Sequence, residues 1–401
     1  MSMQERQASA RVVVIGGGYA GAVAANRLRR RRDVEVALIN PRPVFVERVR
    51  LHQLVAGSGA ATVDYRTLLG QGVELIVDTA TRIDAAGRSI LLRSGRVVDY
   101  DYAVYAVGST AVVPASVPGA LENAIAIADL ESAERLRAAL AQLVPDAPIT
   151  VVGAGLTGVE TAAELAEAGR RVTLVCGDTL APSIGMSGRR YVARWLERHG
   201  VTVLEHTRVE QVRTSDILLS DGTRRASSLT VWAAGFATPR LAASSGLRTD
   251  DLGRLITDET LTSVDDARIV ATGDAAAPSG VPLRMSCQAA GPLGAQAADT
   301  VLSLIAGTEP APLDFAFTGS CISLGRRVAL RQLAHKDDSS MSAAIGGRIV
   351  GAYKELTCRL GVWKVRREAR RPGSLIWPKG GPRPEYVRSP DDAAELGARR
   401  A

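Results

Sequence analysis

Three glycines near the start of the chain have the spacing of a pyrophosphate-binding turn. Gly16, Gly18 and Gly21 form a G-x-G-x-x-G pattern directly after the apolar run 12–15. In such a turn the first glycine permits a tight bend, the second lets the backbone approach the phosphates, and the third lets a helix pack on a strand. The N–H groups at the start of that helix favour negative charge. The pattern therefore predicts a dinucleotide site.

The residues around these glycines predict the elements that must position them. The unbroken apolar run 12–15 is typical of a strand buried on both faces, residues 22–28 predict a helix, and residues 34–39 predict a second buried strand. An acidic residue usually follows the second strand and binds the ribose, but Asn40 stands there. An amide can still donate to and accept from ribose hydroxyls, so the choice of dinucleotide stays open.

The same pattern occurs a second time. Gly153, Gly155 and Gly158 follow a predicted strand at 149–152 and precede a predicted helix at 159–168 and a strand at 172–175. Two such motifs in one chain predict two dinucleotides, a flavin and a nicotinamide. Cys176 replaces the acidic residue that would select NADH over NADPH, so NADH and NADPH both remain candidates as donor.

Composition narrows the class of protein. The 401 residues carry a formal net charge of +7, with 46% hydrophobic but only 4% aromatic residues, which suits a layered α/β protein of several domains. The basic excess could serve an anionic surface or an acidic cofactor, but no recognition-helix pattern favours nucleic acid. The four cysteines are far apart without a C-x-x-C pair, which argues against a disulfide relay and against a metal site.

Two features of the sequence bear on the location of the protein in the cell. The first ten residues contain no apolar core of a signal peptide, and no apolar run is long enough to cross a bilayer. We therefore expect a cytoplasmic protein, with peripheral contact at the inner face of the membrane as an open alternative.

Further segments complete the predicted architecture. Strands end at Gly108 and Gly235, and the buried strand 268–273 ends directly before Asp274, whose carboxylate can accept from a flavin ribityl hydroxyl or cap a helix. Residues 74–77 and 89–92 predict a β-meander, residues 131–143 and 286–305 predict helices, and residues 315–332 predict strands around Gly325. We predict an FAD domain (1–112 and 240–309), a nicotinamide domain (113–239), a C-terminal domain (310–371) and a loosely ordered tail (372–401).

A basic amphipathic helix is predicted near the C-terminus. Ile349, Tyr353, Leu356, Leu360 and Trp363 are spaced as one apolar helical stripe, flanked by arginines and Lys354. The stripe favours a helix that packs on the core or forms a homodimer, and a helix on a membrane surface is the alternative.

Four segments together resemble the two-dinucleotide flavoprotein reductases, and among them type II NADH dehydrogenases and the apoptosis-inducing-factor and ferroptosis-suppressor branch. These segments are RLHQLVAG, GAGLTGVETAAEL, SLGRRVALRQ and GGRIVGAYKE. The resemblance covers residues 11 to about 370 and implies an α/β fold with two Rossmann-like, glutathione-reductase-like domains and a C-terminal α+β domain. It implies that FAD binds in the first domain and NAD(P)H in the second, and that a quinone is reduced.

The resemblance also implies roles for individual residues. The implied FAD-binding residues are Gly16, Gly18, Gly21, Asn40, Arg48, Gly108, Gly273 and Asp274. Gly153, Gly155 and Gly158 would bind the nicotinamide dinucleotide, and the implied catalytic residues are Glu160 near the nicotinamide, Gln288 beside the acceptor and Lys354 near the flavin. Pro292 replaces a second glutamine of the dehydrogenases, which leaves a membrane-quinone site in doubt.

These observations favour an NAD(P)H oxidoreductase that reduces a flavin and then a quinone-type or other small acceptor. Three alternatives stay open. One is a reductase of a small iron–sulfur protein docked by the basic surface, another is a redox-dependent binding protein with little turnover, and the third is a tailoring oxidase.

Overall fold

The computed structural model describes residues 10–381. Its first part is built on the apolar runs that the sequence predicts as buried strands. In chain order its elements are β1 Ala10–Ile15, α1 Tyr19–Leu28, β2 Val34–Asn40, β3 Val44–Val46, α2 Leu51–Ala56, β4 Thr62–Asp64, β5 Val73–Val77, β6 Ala80–Asp84, β7 Ser89–Leu92, β8 Val97–Asp99 and β9 Tyr102–Tyr105.

The middle part repeats this plan around the second glycine motif. Its elements are β10 Thr110–Ala111, α3 Ala120–Asn123, β11 Ala124–Ala126, α4 Leu130–Gln142, β12 Pro148–Val152, α5 Leu156–Glu167, β13 Arg171–Val175, α6 Met186–Arg198, β14 Thr202–Leu204, β15 Val209–Val212, β16 Asp216–Leu219, β17 Arg224–Ala226, β18 Leu229–Trp232 and β19 Phe236–Ala237.

The last part returns to the first sheet and then forms a small antiparallel sheet with a long helix. Its elements are α7 Leu241–Ser244, β20 Leu255–Thr257, β21 Ile269–Ala271, β22 Ala276–Pro278, α8 Cys287–Ile305, β23 Ser320–Leu324, β24 Val328–Ala334, β25 Ser340–Gly347 and α9 Arg348–Arg370.

Two five-stranded parallel sheets form the centre of the molecule. Their strand orders are β21-β9-β1-β2-β5 and β11-β18-β12-β13-β14. In each sheet the strand before a glycine motif (β1 or β12) pairs in parallel with the strand that follows the motif's helix. Parallel sheets with helices on their faces bury both sides of each strand, which explains the unbroken apolar runs. The predicted α/β class with two Rossmann-like domains is confirmed.

One predicted element is placed differently. The sequence predicts residues 74–77 as part of a β-meander, but β5 pairs in parallel with β2 at the edge of the first sheet. The antiparallel meander consists of β6, β7 and β8 instead. Alternation in a short strand does not distinguish a half-exposed edge strand of a parallel sheet from a meander strand, which accounts for the error.

Helix α9 packs with a face that the sequence does not predict. Its buried apolar residues are Val350, Cys358, Val362, Val365 and Ala369. The predicted stripe lies on the outside, where Ile349 is 88% exposed and Leu356 is 52% exposed. The prediction that this stripe packs on the core is therefore wrong. The helix has two apolar faces, and the face with the smaller residues is the buried one.

The segment after α9 is also packed, as far as residue 381. Leu375 is buried in the core of the first part, and the Trp377 indole N–H donates to the Asp314 carbonyl oxygen (2.9 Å). The Gly373 and Leu375 N–H groups donate to the buried Glu368 carboxylate. The prediction of a loosely ordered tail is therefore wrong for residues 372–381, and residues 382–401 lie outside the described residues.

Candidate active site

The first glycine motif forms an open cradle at the start of α1. Gly16 has φ +104°, and a Cβ at Gly21 would lie 1.8 Å from the Gly16 carbonyl oxygen, so both positions require glycine. A Cβ at Gly18 would meet no protein atom within 4 Å. The side of the turn at Gly18 is therefore open, and the first turn of α1 carries no acidic side chain. This geometry fits a phosphate group at the helix N-terminus.

Asn40 holds this turn from the end of β2. Its Oδ1 accepts from the Gly17 N–H (3.0 Å), and its Nδ2 donates to the Arg42 carbonyl oxygen (2.8 Å). Tyr65 supports the same turn by donating its hydroxyl to the Gly17 carbonyl oxygen (2.7 Å). Asn40 thus fixes the glycine turn with both ends of its amide, a role that the sequence does not predict, while its second amide hydrogen can still face a ribose.

Polar groups meet beside this cradle at the carboxyl ends of β9 and β21. The Ser109 hydroxyl donates to Asp274 Oδ2 (2.7 Å), and Arg48 donates to the Ser109 carbonyl oxygen (2.8 Å). Arg48 Nη1 lies 4.0 Å from the Asp274 carboxylate, and burial lowers the pKa of Arg48. Gly108 and Gly273 have φ of +70° and +67° and form the turns that bring these groups together. The predicted residues Arg48, Gly108, Gly273 and Asp274 therefore share one edge of the sheet.

The second glycine motif has the same geometry. Gly153 has φ +103°, and a Cβ at Gly158 would lie 1.8 Å from the Gly153 carbonyl oxygen. A Cβ at Gly155 would meet nothing within 4 Å, so this cradle is open at the start of α5. Two cradles that each leave room for a diphosphate fit two dinucleotides.

The surroundings of the second cradle offer no carboxylate directly after β13. Burial raises the pKa of the Cys176 thiol to about 12, so this residue stays neutral. The Arg170 guanidinium donates to carbonyl oxygens at Leu140, Leu143 and Val144 at 3.3 Å each. The Arg170 guanidinium therefore caps carbonyl groups at and after the end of α4 and does not point its charge at the cradle.

A buried ion pair joins α5 in the middle part of the chain to α9 in the last part. Lys354 Nζ on α9 is 2.9 Å from Glu160 Oε1 on α5, and Glu160 also accepts from the Ser323 N–H (2.9 Å). Burial opposes both charges, but each stabilises the other, so the pKa of Glu160 is lowered and that of Lys354 is raised. Lys354 is therefore not a solvated flank of an amphipathic helix, because its side chain is only 15% exposed.

One short segment, residues 318–323, contacts all three predicted catalytic side chains. Glu160 accepts from Ser323, and Lys354 donates to the Cys321 carbonyl oxygen (2.8 Å). Gln288, at the start of α8, accepts from the Thr318 hydroxyl (2.6 Å) and donates to the Gly319 carbonyl oxygen (3.0 Å). Residues from three distant parts of the sequence thus meet around β23.

His52 is a buried member of the same cluster that the sequence analysis does not single out. It lies on α2 with 3% exposure, and its Nδ1 is 4.0 Å from Glu160 Oε2. Burial lowers its pKa to about 4, so the imidazole is neutral at pH 7. Its position within the RLHQLVAG segment was the available signal, but only the fold brings that segment to α5.

All four cysteines are free. Burial raises the pKa of Cys358 to about 11 and also raises the pKa of Cys321. Their thiols are therefore protonated at neutral pH and are poor nucleophiles.

Within residues 10–381, no group of three or more His, Cys, Asp or Glu side chains is arranged to bind a metal ion. Over the same residues, no helix has both the length and the apolar character needed to cross a membrane.

Known proteins resemble this chain over most of its length. An NADH dehydrogenase-like protein of Mycobacterium tuberculosis is 34% identical over 325 residues, covering 73% of this chain and 80% of the relative. The type II NADH:quinone oxidoreductase of the same organism is 28% identical over 387 residues, covering 83% of this chain and 81% of that relative. The sulfide:quinone oxidoreductase of Aquifex aeolicus shares the fold with a TM-score of 0.77 and 21% identity, covering 90% of this chain and 92% of that structure.

These relatives confirm the resemblance to NADH dehydrogenases that the sequence motifs indicate. The family described as pyridine nucleotide-disulphide oxidoreductase matches residues 10–294, which include both glycine cradles and the start of α8. The chain therefore belongs to the pyridine nucleotide-disulphide oxidoreductase family.

Proposed function

We propose that this protein is an FAD-dependent NADH oxidoreductase that passes electrons to a quinone-type acceptor. The observation that carries the proposal is the buried Lys354–Glu160 pair between the two glycine cradles. Glu160 lies on α5, whose N-terminus forms the second cradle, and Lys354 lies on α9, which packs on the helix of the first cradle. The desolvation of a buried ion pair can cost more free energy than the attraction between its charges returns, so the pair is weak evidence for stability, and perturbed ionisable groups occur often at active sites.

The residues at the first cradle would bind FAD. Gly18 would admit the pyrophosphate, and Asp274, held by Ser109 and Arg48, would accept from a ribityl hydroxyl. When bound, the flavin supplies the hydride and electron transfer. The protein's own part is to orient the two nucleotides and to keep a positive charge, Lys354, near the reacting end.

The second cradle would bind NADH. Gly155 would admit the pyrophosphate of the donor. Arg170 is bonded to backbone carbonyls of α4 and the residues after it, so it does not supply a cation for the 2′-phosphate of NADPH. NADH is also the donor in the names of two related M. tuberculosis proteins. We therefore propose NADH rather than NADPH.

A quinone is the proposed acceptor. Gln288 lies at the start of α8, where residues 318–319 hold its amide, and the amide hydrogen that Gly319 does not accept would be the one to contact a small acceptor. Both a relative and a structural neighbour are named as quinone oxidoreductases. Pro292, where the dehydrogenases carry a second glutamine, removes one hydrogen-bonding side chain and favours a small or soluble quinone.

Helix α9 is the proposed contact with a membrane surface. Its outer face exposes Tyr353 (45%), Leu356 (52%) and Trp363 (48%). Basic side chains, including Arg359 and Arg367, lie along the same helix, and an apolar face flanked by cations is typical of interfacial helices. This contact would hold the protein at an anionic membrane surface as a peripheral protein.

The proposed function is tested by following NADH and NADPH oxidation by purified protein with short-chain quinones, oxygen and a small iron–sulfur protein. We expect bound FAD, preference for NADH and fastest turnover with a quinone. Fast reduction of the iron–sulfur protein that falls steeply with added salt would contradict the quinone proposal and support the reductase alternative. Slow reoxidation by every acceptor, with dimerisation on NADH addition, would support a redox-dependent binding protein.

A further inference from the structure

The loop that follows β13, residues 176–180, lies against the second glycine cradle. At its start the Val175 carbonyl oxygen accepts from the Gly153 N–H (2.8 Å). At its end the Ala181 N–H donates to the Ala154 carbonyl oxygen (3.0 Å). In folds of this kind the ribose of a dinucleotide lies at the carboxyl end of the second strand. The loop therefore borders the place where the adenosine ribose of a donor in this cradle would lie.

Glu205 reaches this loop from the neighbouring strand. It directly follows β14, which pairs in parallel with β13, so both strands end at the same edge of the sheet. The Leu180 N–H donates to Glu205 Oε1 (2.6 Å). The next N–H along the chain, that of Ala181, is the one that is bonded to the cradle. One peptide unit thus separates the contact with the carboxylate from the contact with the cradle, which places the Glu205 carboxylate beside the cradle.

The Glu205 carboxylate also lies close to Cys176, which stands where an acidic side chain usually binds the ribose of NADH. The Cys176 N–H donates to the Leu204 carbonyl oxygen (2.9 Å), so the ends of β13 and β14 are held side by side. Burial raises the pKa of the Cys176 thiol, and the nearby negative charge of Glu205 raises it further. The carboxylate that the end of β13 lacks is therefore supplied by the residue after β14.

We propose that Glu205 binds the adenosine ribose of NADH and disfavours NADPH. This inference rests on the proposed function, which makes NADH the donor that binds at the second cradle. Glu205 is exposed, and a carboxylate that accepts one backbone N–H has further lone pairs to accept from a ribose 2′-hydroxyl. NADPH carries a negatively charged phosphate at the same position, and the carboxylate repels it. Glu205 is therefore the residue that determines donor specificity.

Asp178 is the rival carboxylate, because it lies in the middle of the same loop. Its side chain is 80% exposed, and its Oδ1 lies 3.1 Å from His206 Nδ1. A charge with this exposure is screened by water and salt and interacts weakly with its neighbours. Glu205, by contrast, is fixed by a backbone N–H one residue away from the cradle contact. Glu205 is therefore better placed to bind a ribose hydroxyl.

Donor binding by three variants of the holoenzyme tests this assignment. Glu205→Gln keeps an oxygen for the Leu180 N–H but removes the charge, and Asp178→Asn removes the rival charge. Asp146→Asn, the control, removes an exposed charge before β12, at the opposite edge of the same sheet. Tetrahydro analogues of NADH and NADPH cannot give up hydride, so titration calorimetry measures their binding without flavin reduction. We expect Glu205→Gln to lower the ratio of NADH-analogue to NADPH-analogue affinity at least about tenfold, and both aspartate variants to change it less than about twofold.

The affinity ratio distinguishes donor selection from support of the loop. A residue that only supports the loop would weaken the binding of both analogues alike when it is replaced. An unchanged ratio in Glu205→Gln, or a larger change in Asp178→Asn, would therefore overturn the role of Glu205 and leave the proposed function intact. The titration needs no electron acceptor, so it decides this role even if no quinone reoxidises the wild-type protein. Wild-type protein that binds neither analogue would contradict the proposed function and this inference together.

Discussion

Lys354 and Glu160 stabilise each other because neither reaches solvent. Removing one partner leaves an uncompensated buried charge, which costs more than the pair contributes. We expect Lys354→Met to lower the free energy of unfolding by about 3–5 kcal/mol, measured by urea denaturation. Lys364→Met, an exposed residue of the same helix, is the control and should change stability by less than about 0.5 kcal/mol.

The double variant Lys354→Met, Glu160→Gln tests whether Lys354 stabilises the fold through its charge or through the packing of its methylenes. It removes both charges, so we expect it to recover most of the stability that Lys354→Met loses. A double variant as unstable as the single one would indicate that Lys354 stabilises the fold through its methylenes rather than through its charge.

His52 gives stability a dependence on pH. Its pKa is about 4 in the folded protein and about 6.5 when unfolded, so the unfolded chain binds more protons between these values. The free energy of unfolding should therefore rise by about 3 kcal/mol from pH 4 to pH 6.5 and owe nothing further to His52 above that. Denaturation curves across this range, compared with those of His52→Gln, measure the contribution, and identical slopes in the two proteins would contradict the prediction.

At the scale of elements, each glycine turn has one position where protein packing excludes a side chain and one position that is open to a ligand. At Gly21 an added methyl group meets the Gly16 carbonyl oxygen, whereas at Gly18 it meets no protein atom and fills only the space proposed for the pyrophosphate. Gly18→Ala should therefore fold normally but bind FAD about 10–100-fold more weakly, the equivalent of about 1–3 kcal/mol of overpacking. Gly21→Ala should lower the melting temperature.

The second turn supplies the matched control. Gly155→Ala should weaken NADH binding by a similar factor and leave the FAD content of the purified protein unchanged. Titration calorimetry and flavin absorbance measure the two effects separately. Loss of FAD in Gly155→Ala, or full FAD binding in Gly18→Ala, would show that the two cradles are assigned to the wrong nucleotides.

The exposed face of α9 predicts association with anionic vesicles. Leu356→Glu replaces an apolar side chain that is 52% exposed with a negative charge. Burying a leucine is worth about 1.5–3 kcal/mol, so we expect vesicle binding to weaken at least about tenfold in a sedimentation assay. Val144→Glu, at an exposed apolar position outside α9, should bind as wild type does. A dimer that Leu356→Glu dissociates, without any vesicle binding, would instead identify the face as a subunit interface.

At the scale of the whole molecule, Arg27 links three helices. From α1 it donates to both Asp299 oxygens on α8 (2.8 and 2.7 Å) and to Glu368 on α9 (3.4 Å). Glu368 is fully buried. Arg27 therefore attaches the C-terminal helix to the first cradle's helix, and with it positions Lys354.

Loss of this link should loosen the C-terminal region as a unit. Arg27→Met should lower stability by about 3–5 kcal/mol and speed amide exchange across residues 348–381. Arg30→Met is a matched control because Arg30 bonds the same Asp299 from an exposed position (2.9 Å) and should cost less than about 1 kcal/mol. Hydrogen exchange with mass spectrometry resolves the region, and protection unchanged in Arg27→Met would contradict the link.

The sequence by itself determined the nucleotide-binding architecture. An unbroken apolar run, three glycines and a helix are local features, and each glycine is required by contacts within a few residues, as between Gly21 and Gly16. Helices α4 and α8 were predicted within two residues for the same reason, because apolar periodicity is local. The family follows from these motifs.

The tertiary structure alone decided which side chains meet and which faces are covered. His52 and Glu160 are 108 residues apart, and only the packing of α2 on α5 brings His52 Nδ1 within 4.0 Å of the Glu160 carboxylate. Both faces of α9 are apolar, so periodicity could not tell that Val362 is buried and Leu356 exposed. Contacts between distant segments depend on the shape of every packed surface, and no local pattern in the chain encodes that shape.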